Sequence, residues 1–105
     1  AGVTHFITIG GGDGFEGNEG AVKVAEAYPS VYATVGIHPH DAKIVDEAVY
    51  QKIEALALQP KVVAIGEIGL DFHYEHSPRE IQKNVFQGFI DLSKKIQKPV
   101  VIHLE

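Results

Sequence analysis

The sequence predicts an α/β fold of parallel βα repeats, and three observations carry that prediction. Short runs rich in Val and Ile alternate with longer runs whose apolar residues recur at helical spacing, in the order β-α-β-α-β-α-β. The third short run, Val62 to Ile65, is continuously apolar rather than alternating, as in a strand covered by helices on both faces. Histidines and carboxylates fall where the short runs end, and parallel sheets place their polar chemistry at the carboxyl ends of strands.

The first strand is His5-Phe6-Ile7-Thr8-Ile9, followed by a glycine-rich loop from Gly10 to Gly17. A helix is predicted to start at Asn18 as its N-cap and to end by Pro29, with Val22, Ala25 and Tyr28 on one face. Val31 to Ile37 is the second strand and runs into His38-Pro39-His40. The next helix starts near Asp46, carries Val49, Ile53, Leu56 and Ala57 at helical spacing, and stops before Pro60. Pro60-Lys61 opens the third strand, in which an apolar run delivers two carboxylates among glycines: Gly66-Glu67-Ile68-Gly69-Leu70-Asp71.

Ser77-Pro78-Arg79-Glu80 reads as a helix start, with Ser as cap, Pro at the first helical position and Glu closing a capping box. That helix is expected to bury Ile81, Val85, Phe86, Phe89, Ile90 and Ile96. Pro99-Val100-Val101-Ile102-His103 is the fourth strand. The order implies right-handed crossovers within one domain over residues 1–105. It leaves open whether the strands form an open sheet or part of a barrel. A closed (β/α)8 barrel takes about 250 residues, so this length holds about half of one.

Composition narrows the chemistry. With 45% apolar and 22% charged residues the chain is ordinary globular protein. It has no Cys, which excludes disulfides, thiolate metal sites and a cysteine nucleophile, so a metal would be held by His, Asp or Glu. A net charge of −5 argues against a broad basic nucleic-acid footprint, although a bound divalent cation changes the local field without entering that count. No apolar run approaches the length of a membrane span, and residues 1–10 lack the basic start and cleavage site of a signal peptide. A cytoplasmic protein with no membrane partner is expected.

Spacing links the third strand to the last. Glu67 lies four residues beyond Val63 and His103 four beyond Pro99, each keeping the pleat parity of the residues two and four before it. On neighbouring strands about 4.8 Å apart, the carboxylate and the imidazole would emerge side by side. His38, at the end of the second strand, would reach the same rim. One strand-end His is more simply a hydrogen-bonded core or surface residue; agreement between several strand ends suits a Zn, Mn, Fe or Mg site.

Gly36-Ile37-His38-Pro39-His40, Ala64-Ile65-Gly66-Glu67-Ile68-Gly69-Leu70-Asp71, Gln82 to Phe86 and Pro99-Val100-Val101-Ile102-His103 resemble, in order and spacing, the successive signatures of the TatD family of metal-dependent hydrolases. The resemblance covers nearly the whole chain. It implies an amidohydrolase-like TIM (β/α)8 barrel, of which this chain would supply the second to fifth strands. It also implies hydrolysis of phosphodiesters by water activated on divalent metal ions (Mg, Mn or Zn, two in the complete protein), with DNA or another phosphodiester as substrate. By motif, Glu67 is then the catalytic, metal-bridging carboxylate and His103 a further metal ligand, while His38 and His40 contact substrate phosphate. Asp71, four residues after Glu67, is expected to orient a ligand or cap the turn.

The departures are specific. No His-x-His pair precedes Gly36, His5 stands alone at the start of its strand, and Glu105 stands where the family usually has Arg. A single carboxylate and a single histidine hold a metal weakly, so the isolated chain is expected to show little or no activity. His73 and His76 read as surface residues of a loop. Two other classes compete. Gly12-Asp13-Gly14-Phe15-Glu16-Gly17 spells G-x-G-x-x-G between a strand and a helix, the context of a dinucleotide-binding module. Its glycines precede the predicted helix, however, and Asp13 and Glu16 would repel a pyrophosphate. The other alternative is a catalytically inert half-barrel that self-associates through exposed sheet edges.

Overall fold

The computed structural model describes residues 5–11 and 14–105. Four parallel strands, β1 (Phe6–Ile9), β2 (Val31–Val35), β3 (Val62–Leu70) and β4 (Val100–Leu104), lie in the order β1-β2-β3-β4. They alternate with helices α1 (Gly17–Ala27), α2 (Glu47–Ala57) and α3 (Arg79–Ile96), and a short 3-10 segment, Pro39–Ile44, follows β2. The sheet curls as half of a TIM-type barrel. The core lies between the helices and the two central strands: Ala25, Ala33, Val35, Ile53, Ile65, Ile68 and Phe89 are wholly buried. The outer strands differ, since Phe6, Ile7 and Ile9 of β1 and Ile102 and Leu104 of β4 are exposed. No helix among the described residues is long and apolar enough to cross a membrane.

Three local expectations are corrected, two of them because a polar side chain is engaged elsewhere. Helix α1 begins one residue early, and Asn18 sits inside its first turn rather than capping it. The Asn18 side chain instead grips Gly36 on both sides: Nδ2 donates to Gly36 O at 2.9 Å and Oδ1 accepts from Gly36 N at 2.9 Å. At α3 no side chain caps the helix. Ser77 Oγ donates to His40 O at 2.8 Å and accepts from Lys43 N at 3.1 Å, so it fastens the 3-10 segment to the start of α3. Within α3, Gln82 and Leu92 are buried while Ile81 is 39% exposed. Asp46 does cap α2, accepting from Val49 N at 2.9 Å.

At the amino ends of the strands, Lys98 closes the layer. Its ammonium donates to Gln59 O at 3.1 Å, to Val62 O at 2.6 Å and to Ala57 O, joining the end of α2 to the start of β3. Burial lowers its pKa.

The β3·β4 register is broken by a bulge. Ile65 pairs with Val100 but Ile68 with Ile102, so three steps along β3 match two along β4, and His103 lies opposite Gly69 rather than Glu67. The side-by-side emergence expected of Glu67 and His103 therefore does not occur. Gly69 makes this register possible. It holds a positive φ of 143°, and a Cβ added there would fall 2.0 Å from His103 O. Gly69→Ala is thus expected to push β4 away and to destabilise the chain by at least about 1–3 kcal/mol, read as a lower urea midpoint. An unchanged midpoint would refute the close approach.

Candidate metal centre

The carboxyl ends of β2, β3 and β4 converge on one rim. Just beyond β2, Ile37 is buried and His38 opens the 3-10 segment, where its Nδ1 accepts from His40 N at 3.1 Å. A neutral imidazole that accepts at Nδ1 carries its proton on Nε2. That Nε2 faces Glu67 Oε1 at 3.6 Å. Burial lowers the pKa of His38, and the neighbouring His40 and His103 lower it further, which favours this neutral form.

Asp71, just past β3, is 0% exposed. Its Oδ1 accepts from Tyr74 N at 3.0 Å, and its Oδ2 accepts from His40 Nε2 at 2.7 Å and from His103 Nε2 at 3.0 Å. The Tyr74 N–H, followed by the two imidazoles, outweighs burial and holds this carboxyl well below the usual carboxylate range. An ionised carboxylate only accepts, so both rings must donate from Nε2, and each neutral ring keeps a lone pair on Nδ1. Gln82, also wholly buried, fixes the backbone beneath. Its Oε1 accepts from Asp71 N at 2.7 Å, and its Nε2 donates to Asp71 O at 3.0 Å and to Ser77 O at 2.7 Å.

The rings pack closely, with His38 centred 4.2 Å from His40 and 4.5 Å from His103. One nitrogen from each of His38, His40 and His103 lies within 4.8 Å of the others; Asp71, His103 and Glu105 form a second such group. An imidazole whose one N–H is held by a carboxylate, with a lone pair left on its other nitrogen, is the usual state of metal-binding histidine, so neutral His40 and His103 fit a divalent ion. His38 in its present tautomer is a donor and suits an anionic oxygen.

Of the residues singled out in the sequence, His38, His40, His103 and Asp71 thus come together, and Glu67 stands beside them against His38 rather than His103. Gln82 was given no role by sequence, although a polar residue three before Val85 and seven before Phe89, on an apolar stripe, was a visible signal. His76 is exposed, as expected of a loop residue, but its ring lies 4.4 Å from His40, a contact no sequence pattern marks. Gly12 and Asp13 of the glycine-rich motif lie outside the described residues.

This half-barrel, with imidazoles and carboxylates gathered toward the carboxyl ends of its strands, has the architecture of part of a TIM-type (β/α)8 barrel. The profile of the TatD related DNase family matches residues 1–105, and the chain belongs to that family. It is 45% identical over 83 residues to the Bacillus subtilis "uncharacterized metal-dependent hydrolase YabD", covering 79% of this chain and 32% of that protein. It is 38% identical over 103 residues to the "3'-5' ssDNA/RNA exonuclease TatD" of Escherichia coli K12, covering 98% and 39%. The crystal structure of the Escherichia coli TatD homologue YjjV superposes with a TM-score of 0.85 at 29% identity, over 99% of this chain and 40% of that one. An uncharacterized Saccharomyces cerevisiae amidohydrolase shares the fold, with a TM-score of 0.73 at 21% identity, over 94% and 36%. The chain therefore spans about a third to two fifths of the length of the curated relatives it matches.

The two shifted groups of this site give stability a defined pH dependence below neutral pH. His38 titrates below its ordinary value near 6.5 in the fold, so the unfolded chain takes up a proton first and stability falls as pH drops below that value. Asp71 adds a second loss below the ordinary carboxylate range, for the same reason of sign. Urea melts in chelator should therefore show full stability above neutral pH and a decline in two stages. His38→Gln should remove the upper stage, and retention of both stages would contradict the assignment.

Proposed function

We propose that this chain is the part of a TatD-type DNase that carries the second to fifth strands and one side of the active site, acting in the cytoplasm on DNA or another phosphodiester. The observation that carries the reading is the convergence of His38, His40 and His103 to within 4.8 Å, with a buried Asp71 bonded to two of them. Names of relatives add support: one is a metal-dependent hydrolase and others are exonucleases.

In this reading Glu67 and His103 hold a divalent ion, Mg, Mn or Zn, with a second ion completed by residues outside this chain. When bound, such ions neutralise phosphate charge and lower the pKa of bound water from 15.7 to about 7. Glu67 is suited to this because its side chain is 31% exposed and, among the described residues, its one contact with a basic side chain is the 3.6 Å approach to His38. His38 offers its Nε2–H to a phosphate oxygen, and His40 beside it is the second phosphate contact in its imidazolium form, with Nδ1–H as donor because Asp71 engages its Nε2–H. Asp71 fixes the ring planes of His40 and His103 by engaging the Nε2 of each.

The test is a calorimetric Mn2+ titration of the chain. Saturable binding is expected, lost in Glu67→Ala and in His103→Ala, and weakened about 10–100-fold in Asp71→Asn. Equal binding by all four proteins would sink the reading. Exposed apolar residues along β1 and β4 also support self-association of the chain through its open edges. Sedimentation velocity should show the mean mass rising with concentration; a monomer throughout would rule that out.

A further inference from the structure

Beyond the imidazole rim, the turn from Phe72 to His76 carries rings that the chemistry above does not use. Tyr74 is 59% exposed although its backbone is held at the centre of the site, its N–H donating to Asp71 Oδ1 at 3.0 Å. Its ring lies 4.6 Å from His73 at 81°, 6.1 Å from His40, and 6.0 Å from His76 at 18°, nearly parallel. Glu75 between them takes a positive φ of 50°, a conformation that non-glycine residues hold only where their surroundings enforce it. The surroundings are present: Arg79 Nε donates to Glu75 Oε1 at 2.6 Å, and Lys43 Nζ donates to His76 O at 3.2 Å.

The neighbouring Phe72 makes the contrast. Its face is already covered by the Arg79 guanidinium at 4.7 Å, with the Lys83 ammonium at 5.9 Å. Tyr74 instead borders a cavity of about 360 Å3 lined by His73, Tyr74 and Glu105. Glu105 is tied to the same turn, its carbonyl accepting from Phe72 N at 2.8 Å and its N–H donating to Leu70 O at 3.1 Å. A fixed, half-open aromatic wall thus stands one ring away from the imidazoles.

We infer that Tyr74, flanked by His73 and His76, is a stacking wall for a nucleobase of the substrate, placed so that a phosphate at His38 and His40 puts the adjoining base against the Tyr74 ring. This rests on the phosphodiesterase reading and deepens it. The wall selects strands whose bases are free to stack, and so favours single-stranded nucleic acid over simple phosphodiesters. Stacking needs only a π-face, so little preference among the bases follows.

The test is fluorescence anisotropy of the chain in Mn2+ with two probes, an oligothymidylate and an abasic strand of equal length and phosphate number. Tyr74→Ala should weaken oligothymidylate binding about 5- to 150-fold, the factor that one stacked base is worth. It should leave the abasic strand unchanged, and Tyr74→Phe should bind both as the parent does. Equal loss on both strands, no loss on either, or a parent that binds neither strand overturns the wall. Calorimetric Mn2+ titration of the parent, run alongside, judges the metal reading separately, because Tyr74 is not among the residues assigned to the ion.

Discussion

The buried carboxylate of Asp71 is the constraint on which the rest of the site depends. A carboxylate with no exposure is tolerated only when its oxygens are well bonded, since an isolated buried charge is strongly unfavourable. Here a backbone N–H from the following turn and two imidazoles from distant segments meet that demand. Satisfying Asp71 therefore places His40 and His103, some thirty residues away on either side in sequence, around one oxygen. Gln82 makes the arrangement rigid by bonding the Asp71 backbone on both sides while it also holds Ser77. Ser77 in turn bonds His40 O, so the anchor of one imidazole closes back on the helix that supports the carboxylate.

Polar side chains inside an otherwise apolar α/β core set the remaining positions. Asn18 fixes Gly36, two residues before His38, and Thr34 Oγ1 donates to Gly66 O at 3.0 Å, immediately before Glu67. Each is a wholly or almost wholly buried polar group satisfied by backbone of another element, Asn18 just past the end of β2 and Thr34 in the middle of β3. Among the described residues, no buried side-chain nitrogen or oxygen lacks a partner. Apolar packing gives the layers their adhesion, but it is non-directional. The directional bonds at Asn18, Thr34 and Gln82 decide where the strand ends point.

This explains how much could be read in advance. Element order, the parallel sheet and the gathering of histidines at strand ends follow from periods and punctuation local to the chain. Val49, Ile53, Leu56 and Ala57 announce α2 by spacing alone, and Asp46 caps it because its bond is local, three residues away. Asn18 and Ser77 look equally like caps, yet each bonds a residue 18 or 37 positions distant. Sequence spacing holds no trace of such partners. The bulge between Ile65 and Ile68 is illegible for the same reason, because a register is a property of two strands; it is why parity misjudged the relation of Glu67 to His103.

Glu67 and Asp71 illustrate how environment, rather than residue type, divides two carboxylates four residues apart. Asp71 has no exposure and carries three hydrogen bonds on its two oxygens, which ties it to the fold rather than to solvent. Its effect is exerted through the rings it holds. Glu67 is partly exposed, with a 3.6 Å contact to an imidazole that burial keeps neutral. A neutral partner at that distance compensates its charge poorly. The negative potential at Glu67 therefore remains available to the rim, beside the rings that Asp71 holds. A cation entering the rim would meet rings already held in place, and the cost of arranging them would already lie in the fold.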